Sequence, residues 1–568
     1  MWTQEQNPIT GNLEYVFNGM ENGIGDSPYT GIANMQGLNI KNYPKCAYSN
    51  ISRTISTMTG GSSAEQVNYV VQDPDTLINL YSVTGFTLNG STHGVVRQSI
   101  DAGKTWTIIP GQAFTTAEGN GLFIYGGYLH VICRARIYTI PITSTGATGS
   151  TWIEMQDNAG STPIFSTTTQ RSGQNHYALV GRDGISGTVT VNNIYICNGI
   201  YIASIIPSSS TTYAPGNKTT YNWNETALGL PTNGNGIATS LCELRTSLLI
   251  SYGNLIVPWD RTSTSYDIPF PFPETIAKLI NIENTIYCFG GVPTFFDSNG
   301  LASGGNDYNG TYAKWIAGAV FYNPVIMGRG NIYYYNGFSG GFLKKIPDQL
   351  AFPFLNDQSW FIGGVMAFQN KLYFGAMNTN ATSNNQPNSS QAGVYSLDIS
   401  SETQAIQYSV APSSLTIENT GNGFYTALCS TNNLSINNNI LSYAGGCTTI
   451  AGATWNYKYD YTNQSGLREI GYLETDILQP GTNQSPKTFS QIEVRFRNPL
   501  ASAEVVTVYA RSNFNTSYTT TYTYTSNTAD LSFVCPVAIQ SNEEIQIQLK
   551  TEPAANGSGV PIKEIRLR

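Results

Sequence analysis

Two acceptors and one glycine at alternate positions make the first candidate site. Ser99, Asp101, Gly103 and Thr105 alternate through Ser99-Ile-Asp101-Ala-Gly103-Lys-Thr105-Trp106. Asp and Ser side chains accept hydrogen bonds from amides a few residues away, and Gly takes positive φ without steric cost. Such a group can hold a tight turn, or it can present a carboxylate for acid–base work. The flanks, Gly94-Val-Val-Arg-Gln98 and Thr107-Ile-Ile109, are strand-like, so the expected setting is strand, turn, strand, with the Trp106 indole wedged into an apolar gap. Thr145-Gly-Ala-Thr-Gly149-Ser-Thr151-Trp152 and Thr448-Thr-Ile-Ala-Gly452-Ala-Thr454-Trp455 keep the second half of the pattern. They place Ala147 and Ile450 where the aspartate should stand.

The remaining reactive residues are scattered. His93, His130 and His176 are the three histidines, and none has a second histidine at ligand spacing. The eight cysteines, at 46, 133, 197, 242, 288, 429, 447 and 535, form no C-x-x-C pair, and several fall inside apolar runs such as Val131-Ile-Cys133. They read as buried thiols, with neither metal nor cofactor expected. Asp297-Ser-Asn-Gly300 has part of a calcium-loop pattern but lacks its other acidic ligands, and reads as a plain turn.

These residues must be positioned by strands. From about residue 66 to 465 a short apolar run, a turn and a second run recur. Examples are Leu122-Phe-Ile-Tyr125 with Tyr128-Leu-His-Val-Ile132, and Leu248-Leu-Ile250 with Leu255-Ile-Val257. The unit returns every 40 to 70 residues or so, the period of stacked four-stranded blades. After residue 466 the texture becomes strict alternation, as in Ile492-Glu-Val-Arg-Phe-Arg497 and Ile545-Gln-Ile-Gln-Leu-Lys550. Period two means one buried and one wet face, and strands so closely spaced suit a β-sandwich.

Composition narrows the function classes. Charged residues are 11% of the 568, against roughly 25% in ordinary globular chains, while aromatics reach 12%. A net charge of −8 with no basic patch beyond the Lys563–Arg568 end disfavours sequence-specific nucleic-acid binding. No apolar run approaches the ~20 residues of a membrane helix, and Met1-Trp-Thr-Gln-Glu-Gln6 lacks the basic and apolar regions of a secretory leader.

The pattern through Ser99, Asp101, Gly103, Thr105 and Trp106 resembles the Asp-box of β-propeller blades found in sialidases and many non-enzymatic proteins. In that family the box is a structural turn away from the catalytic centre. Tyr29-Thr-Gly-Ile-Ala-Asn-Met-Gln-Gly-Leu-Asn-Ile40 resembles the opening of tailed-phage virion proteins, in which a turn-rich arm precedes a propeller. The expected fold is therefore all-β. A turn-rich N-terminal arm spans 1–65, a β-propeller of about seven or eight blades 66–465, and a C-terminal β-sandwich 466–568. The propeller is expected to close near residue 465, with a strand from before about residue 75 completing its last blade, and a fragment of 476–568 is expected to fold alone.

The whole architecture resembles the tail nozzle or hub proteins of short-tailed phages. That resemblance implies a non-enzymatic virion protein, made in the host cytoplasm. It would assemble with copies of itself in a ring and with adaptor and fibre proteins, and would line or extend the DNA channel. Two alternatives remain open: a receptor- or glycan-binding tail protein, and a sialidase-like glycosidase. The enzyme needs three arginines around a carboxylate. Arg97, Arg134, Arg136, Arg245 and Arg329 are available, but none stands in the Arg-Ile-Pro or Arg-Leu-Pro context of that family.

Overall fold

The computed structural model describes residues 2–18, 67–84, 95–112, 119–166, 178–290 and 470–568 with short gaps, and strands alone between 32 and 57 and between 328 and 460. Among the described residues there is no α-helix, and one 3-10 turn, Lys218–Thr220, is the nearest to one. The described strands form nine antiparallel sheets.

Seven of the sheets are propeller blades. Blade one is Val67–Gln72, Leu80–Thr84, Val96–Ser99 and Thr107–Ile108, from the innermost strand outward. Blade two runs Gly119–Tyr125, Tyr128–Cys133 and Arg136–Thr143, with two short outer strands. Blade three is Ala178–Ser186, Val189–Asn198, Tyr201–Pro207 and Tyr221–Gly229. Blade four is Ala238–Leu244, Ser247–Tyr252, Leu255–Trp259 and Phe270–Pro271. Blade five begins with Ile276–Ile282 and Thr285–Gly290; blade six is ordered Gly328–Arg329, Ser359–Phe368, Lys371–Asn380, Gln386–Asp398 and Ile406–Val410. Blade seven is Ala427–Asn433, Asn438–Gly445 and Trp455–Asp460, and its outer strand is Arg53–Thr57 from the start of the chain.

The apolar runs of the sequence follow from this stacking. A blade strand is covered on both faces, so consecutive residues serve opposite neighbours. Val131 packs with Tyr81, Val83 and Val96 of blade one, while the adjacent Ile132 packs with Ile194, Ile196 and Ile205 of blade three. Leu248 and Ile250 face Cys197 and Ile202 of blade three; Leu249 between them faces Ile276 and Ile286 of blade five. In blade one Leu77 has φ 58°, and its amide bonds to the Asp73 carbonyl in a turn, so the second strand starts at Leu80.

The other two sheets are the sandwich, and they correct the expectation for the N-terminus. One sheet is ordered Trp2–Gln6, Leu13–Phe17, Pro561–Leu567, Lys487–Phe496, Ser532–Ser541; Cys46–Ser49 also pairs with Pro561–Leu567, and Leu38–Lys41 with Cys46–Ser49. The other is ordered Ile32–Gln36, Gly471–Thr475, Ile545–Glu552, Val505–Ser512, Thr519–Thr525. The described strands of 1–65 are thus no separate arm, since they supply strands to both sandwich sheets; Arg53–Thr57 is the early strand expected to complete the last blade. The sandwich expected from 466–568 alone is built from both ends of the chain. Its core joins Phe17 and Leu38 to Ile492, Val494, Val508, Ile547, Leu549 and Ile565. Alternation explains the rest: in Ile545–Glu552 the residues at 545, 547, 549 and 551 are buried, and those at 548, 550 and 552 half-exposed.

Candidate functional site

The Asp101 turn joins the third and fourth strands of blade one. Ser99 Oγ donates to Asp101 Oδ1 at 2.7 Å and accepts from the Gly103 amide at 2.7 Å. The Thr105 amide donates to Oδ1 at 2.9 Å, and Thr105 Oγ1 to Oδ2 at 2.7 Å. Gly103 has φ 85°, the left-handed region the turn requires. Trp106 follows at 2% exposure. Both oxygens of Asp101 are engaged inside their own turn, so the geometry is that of a lock.

The partial repeats differ. Gly149 has φ 82°, Thr151 is exposed, and Trp152 lies half-buried against the blade one–two core, its indole donating to Pro110 O at 3.1 Å. Trp455 opens the strand that pairs with Thr57. Gly452 and Thr454 lie outside the described residues, as do His93, His176, Arg134 and Asp297–Gly300.

The sequence pattern missed an equivalent lock in blade four. Asp260, again between third and fourth strands, accepts from the Thr262 and Ser263 amides at 2.9 and 2.8 Å and from Ser263 Oγ at 2.8 Å. Those bonds hold its carboxyl down to about 2. The signal was the Asx-turn spacing Asp260-Arg-Thr262-Ser263, without the glycine and tryptophan of the blade-one pattern.

His130 is enclosed between blades two and three. Its Nδ1 lies 3.1 Å from the Tyr128 carbonyl, which can only accept, so the proton sits on Nδ1 and Nε2 accepts from Tyr213 Oη at 2.8 Å. The ring stacks on Phe123 at 4.4 Å. Burial pushes it down to about 3, so it stays neutral at ordinary pH. Five cysteines, 133, 197, 242, 288 and 535, are free and buried, and burial raises the Cys242 thiol to about 12. Among the described residues no three His, Cys, Asp or Glu side chains gather as a metal site.

Among the described residues, Arg97, Arg136 and Arg245 are not brought together. Arg97 is fully buried on the third strand of blade one, and Arg136 pairs with Glu154 within blade two. Arg245 lies at a turn of blade four. Nearer the axis, Arg261 reaches Glu243 on the inner strand of blade four at 2.7 Å. Lys278, on the inner strand of blade five, lies 6.0 Å from the Tyr69 ring centre on the inner strand of blade one. Burial pushes that ammonium down to about 8.

The densest charge cluster lies on the sandwich, across Leu13–Phe17, Pro561–Leu567 and Lys487–Phe496. Glu14, 2% exposed, receives Arg566 Nη1 at 3.1 Å and Arg568 Nε at 2.8 Å. Arg566 also meets Glu564 at 2.8 Å, and Arg568 meets Glu493 at 2.6 Å. Arg495 joins Glu493 and Glu564 at 2.8 and 2.9 Å. Three carboxylates and three guanidiniums therefore form one closed network across three strands. It bolts the N-terminal hairpin to the last strand of the chain. Alternation displays these residues on one face, but their pairing needs residue 14 beside residue 566, which local sequence does not reveal.

No protein-family model matches the chain, and no curated protein matches it in sequence. Among solved structures it is similar to the Neurospora crassa Pan2 WD40 domain, at 10% identity and TM-score 0.34, covering 71% of this chain and 98% of that one. A phage phi92 endosialidase is similar at 9% identity and TM-score 0.32, covering 73% and 70%. A putative 6-phosphogluconolactonase from Bacteroides uniformis stands at 8% and 0.33, covering 63% and 95%. The propeller assignment rests on the sheet topology itself.

Proposed function

We propose that this chain is a structural component of a tailed-phage virion, a ring-forming tail nozzle or hub subunit that lines or extends the DNA channel. The observation that carries the reading is the stitching of the two chain ends. Arg53–Thr57 closes blade seven from outside. Pro561–Leu567 lies inside a sandwich sheet, hydrogen-bonded to Leu13–Phe17 on one side and Lys487–Phe496 on the other. Pulling either strand out along its axis must break several ladder bonds together, a property that suits a subunit bearing the force of genome packing and release.

The chemistry of the described side chains supports the same reading. Asp101 and Asp260 spend their carboxylates on turns, His130 is sealed, and the sandwich charges neutralise one another. A net charge of −8 also suits a surface past which DNA must slide without sticking. Glycan recognition and glycoside hydrolysis remain the competing readings. Electron microscopy of virions carrying a tagged copy tests the proposal: density in a ring on the tail axis is expected. A position at fibre tips or in the capsid shell, or turnover of sialosides by the purified chain, would reject it.

A further inference from the structure

Among the described strands, one edge of the sandwich combines lack of charge and proline with a self-complementary sequence. Edge strands are commonly blunted by charge, proline or irregularity, because their unpaired amides and carbonyls recruit other strands. Trp2–Gln6 carries Glu5, and Ser532–Ser541 carries Pro536 and a register shift. Ile32–Gln36, at the opposite edge of the second sheet, also lacks charge and proline and carries a register shift, but its sequence is not self-complementary, whereas that of Thr519–Thr525 is. Among the described strands Thr519–Thr525 is the outer one of its sheet, bonded to Val505–Ser512 on one side only. No charged residue, proline or glycine occurs between Arg511 and Asp530. Its one irregularity is at Thr521, which has no partner in the register and donates its Oγ1 to the Val508 carbonyl at 2.7 Å; Tyr522–Thr525 continue in regular pairing.

The composition of this edge selects its occupant. Thr520-Thr-Tyr-Thr-Tyr-Thr-Ser526 reads almost the same in both directions. An antiparallel pair of identical strands centred on Thr523 sets Tyr522 against Tyr524 of the second copy and Thr521 against Thr525. Aromatic and Thr–Thr pairs are favourable cross-strand neighbours, and no like charges meet. A two-fold interface requires this self-complementarity, whereas a foreign strand would not. The side chains are ready for it. Tyr524 stacks on Phe533 at 4.5 Å, Tyr522 lies 6.0 Å from the same ring, and both are only half-buried. Leu531, next to the Asp530 that accepts from Tyr524, is 55% exposed.

We infer that Thr519–Thr525 is a dimerisation edge, pairing antiparallel with the same strand of a second copy about a two-fold axis through Thr523. A strand pair with few flanking side chains buries less than a stable standard interface, so the association is weak and visible only at micromolar concentration and above. A polar ring contains no such two-fold, so the pair is a state of the free chain in solution, and the inference stands apart from the virion reading.

The test is sedimentation or light scattering on the full chain across a concentration series. The expected mass rises from one 61.7 kDa chain toward twice that value. T523K and T523E each place like charges opposite one another at the axis and should stay monomeric; Thr523 is exposed and its side chain makes only a long 3.5 Å contact to Thr507 Oγ1, so both should melt close to the wild type. An equal mixture of the two should recover the dimer, since lysine then faces glutamate. A wild-type chain that stays monomeric throughout, or single variants that dimerise as the wild type does, would overturn the inference. So would a mixture that fails to associate although the wild type does.

Discussion

Removing the Glu14 carboxylate should loosen the N-terminal hairpin before the rest of the sandwich. The hairpin docks through a short ladder, Tyr15–Leu567, Val16–Arg566 and Phe17–Ile565, and through Glu14 itself. Trp2 adds an indole bond to Asp476 O at 2.8 Å. Taking one partner from a buried ion pair costs about 3–5 kcal/mol when the other charge is left stranded. Here neither cation is stranded, because Arg566 keeps Glu564 and Arg568 keeps Glu493. What is lost is the hydrogen bonds from Asn7 and Arg566 and the ion pair with Arg568 at a site already dry, so Glu14→Ala should cost about 2–3 kcal/mol. Hydrogen exchange reads this directly: protection of the Tyr15, Val16 and Phe17 amides should fall roughly 30- to 150-fold, while that of Ile547 and Leu549 changes less.

The same carboxylate fixes the acid response. Burial pushes Glu14 up, but the bonds from Asn7 and Arg566 and the charge of Arg568 outweigh it, and its pKa ends below the ordinary value. A lowered pKa means the contribution is complete above the unfolded value of about 4.3 and is lost as pH falls through the folded value. The wild-type hairpin should therefore hold from neutrality into mild acid and loosen only in strong acid. In Glu14→Ala that acid step should shrink. A variant whose hairpin amides keep wild-type protection would refute the ion-pair account and leave apolar packing of Trp2 and Phe17 as the anchor.

Other outcomes follow from the same contacts. Asp101→Ala should lower stability by about 0.5–2 kcal/mol in urea unfolding, the usual cost of a lost turn acceptor. Gly111→Ala should cost more than about 2 kcal/mol and lower the melting temperature, since Gly111 has φ 71° and a Cβ there would lie 1.7 Å from the Ser150 carbonyl oxygen. A fragment of residues 476–568 should show no dispersed amide spectrum, because it lacks both Leu13–Phe17 and Gly471–Thr475. A folded spectrum from that fragment would contradict the two-ended sandwich.

What the sequence discloses depends on how local the physics is. The Asp101 turn is legible because every bond it makes falls between residues 99 and 105. The blades are legible as a class because strands buried on both faces need unbroken apolar runs, and Ile194-Tyr-Ile-Cys197 serves two neighbouring cores at once. The alternating strands after 470 disclose a sandwich but hide its partners. A strand's pattern states which face is wet and is silent about which strand lies beside it. Leu13–Phe17 has the pattern of a strand with a dry face, yet turn residues on either side made its neighbourhood look like a loose arm. Its ladder partner is some 550 residues away, and only the closed fold brings Glu14 to Arg566. The two ends of the chain are the least legible part of the sequence, and they carry the contacts on which the proposed mechanical role depends.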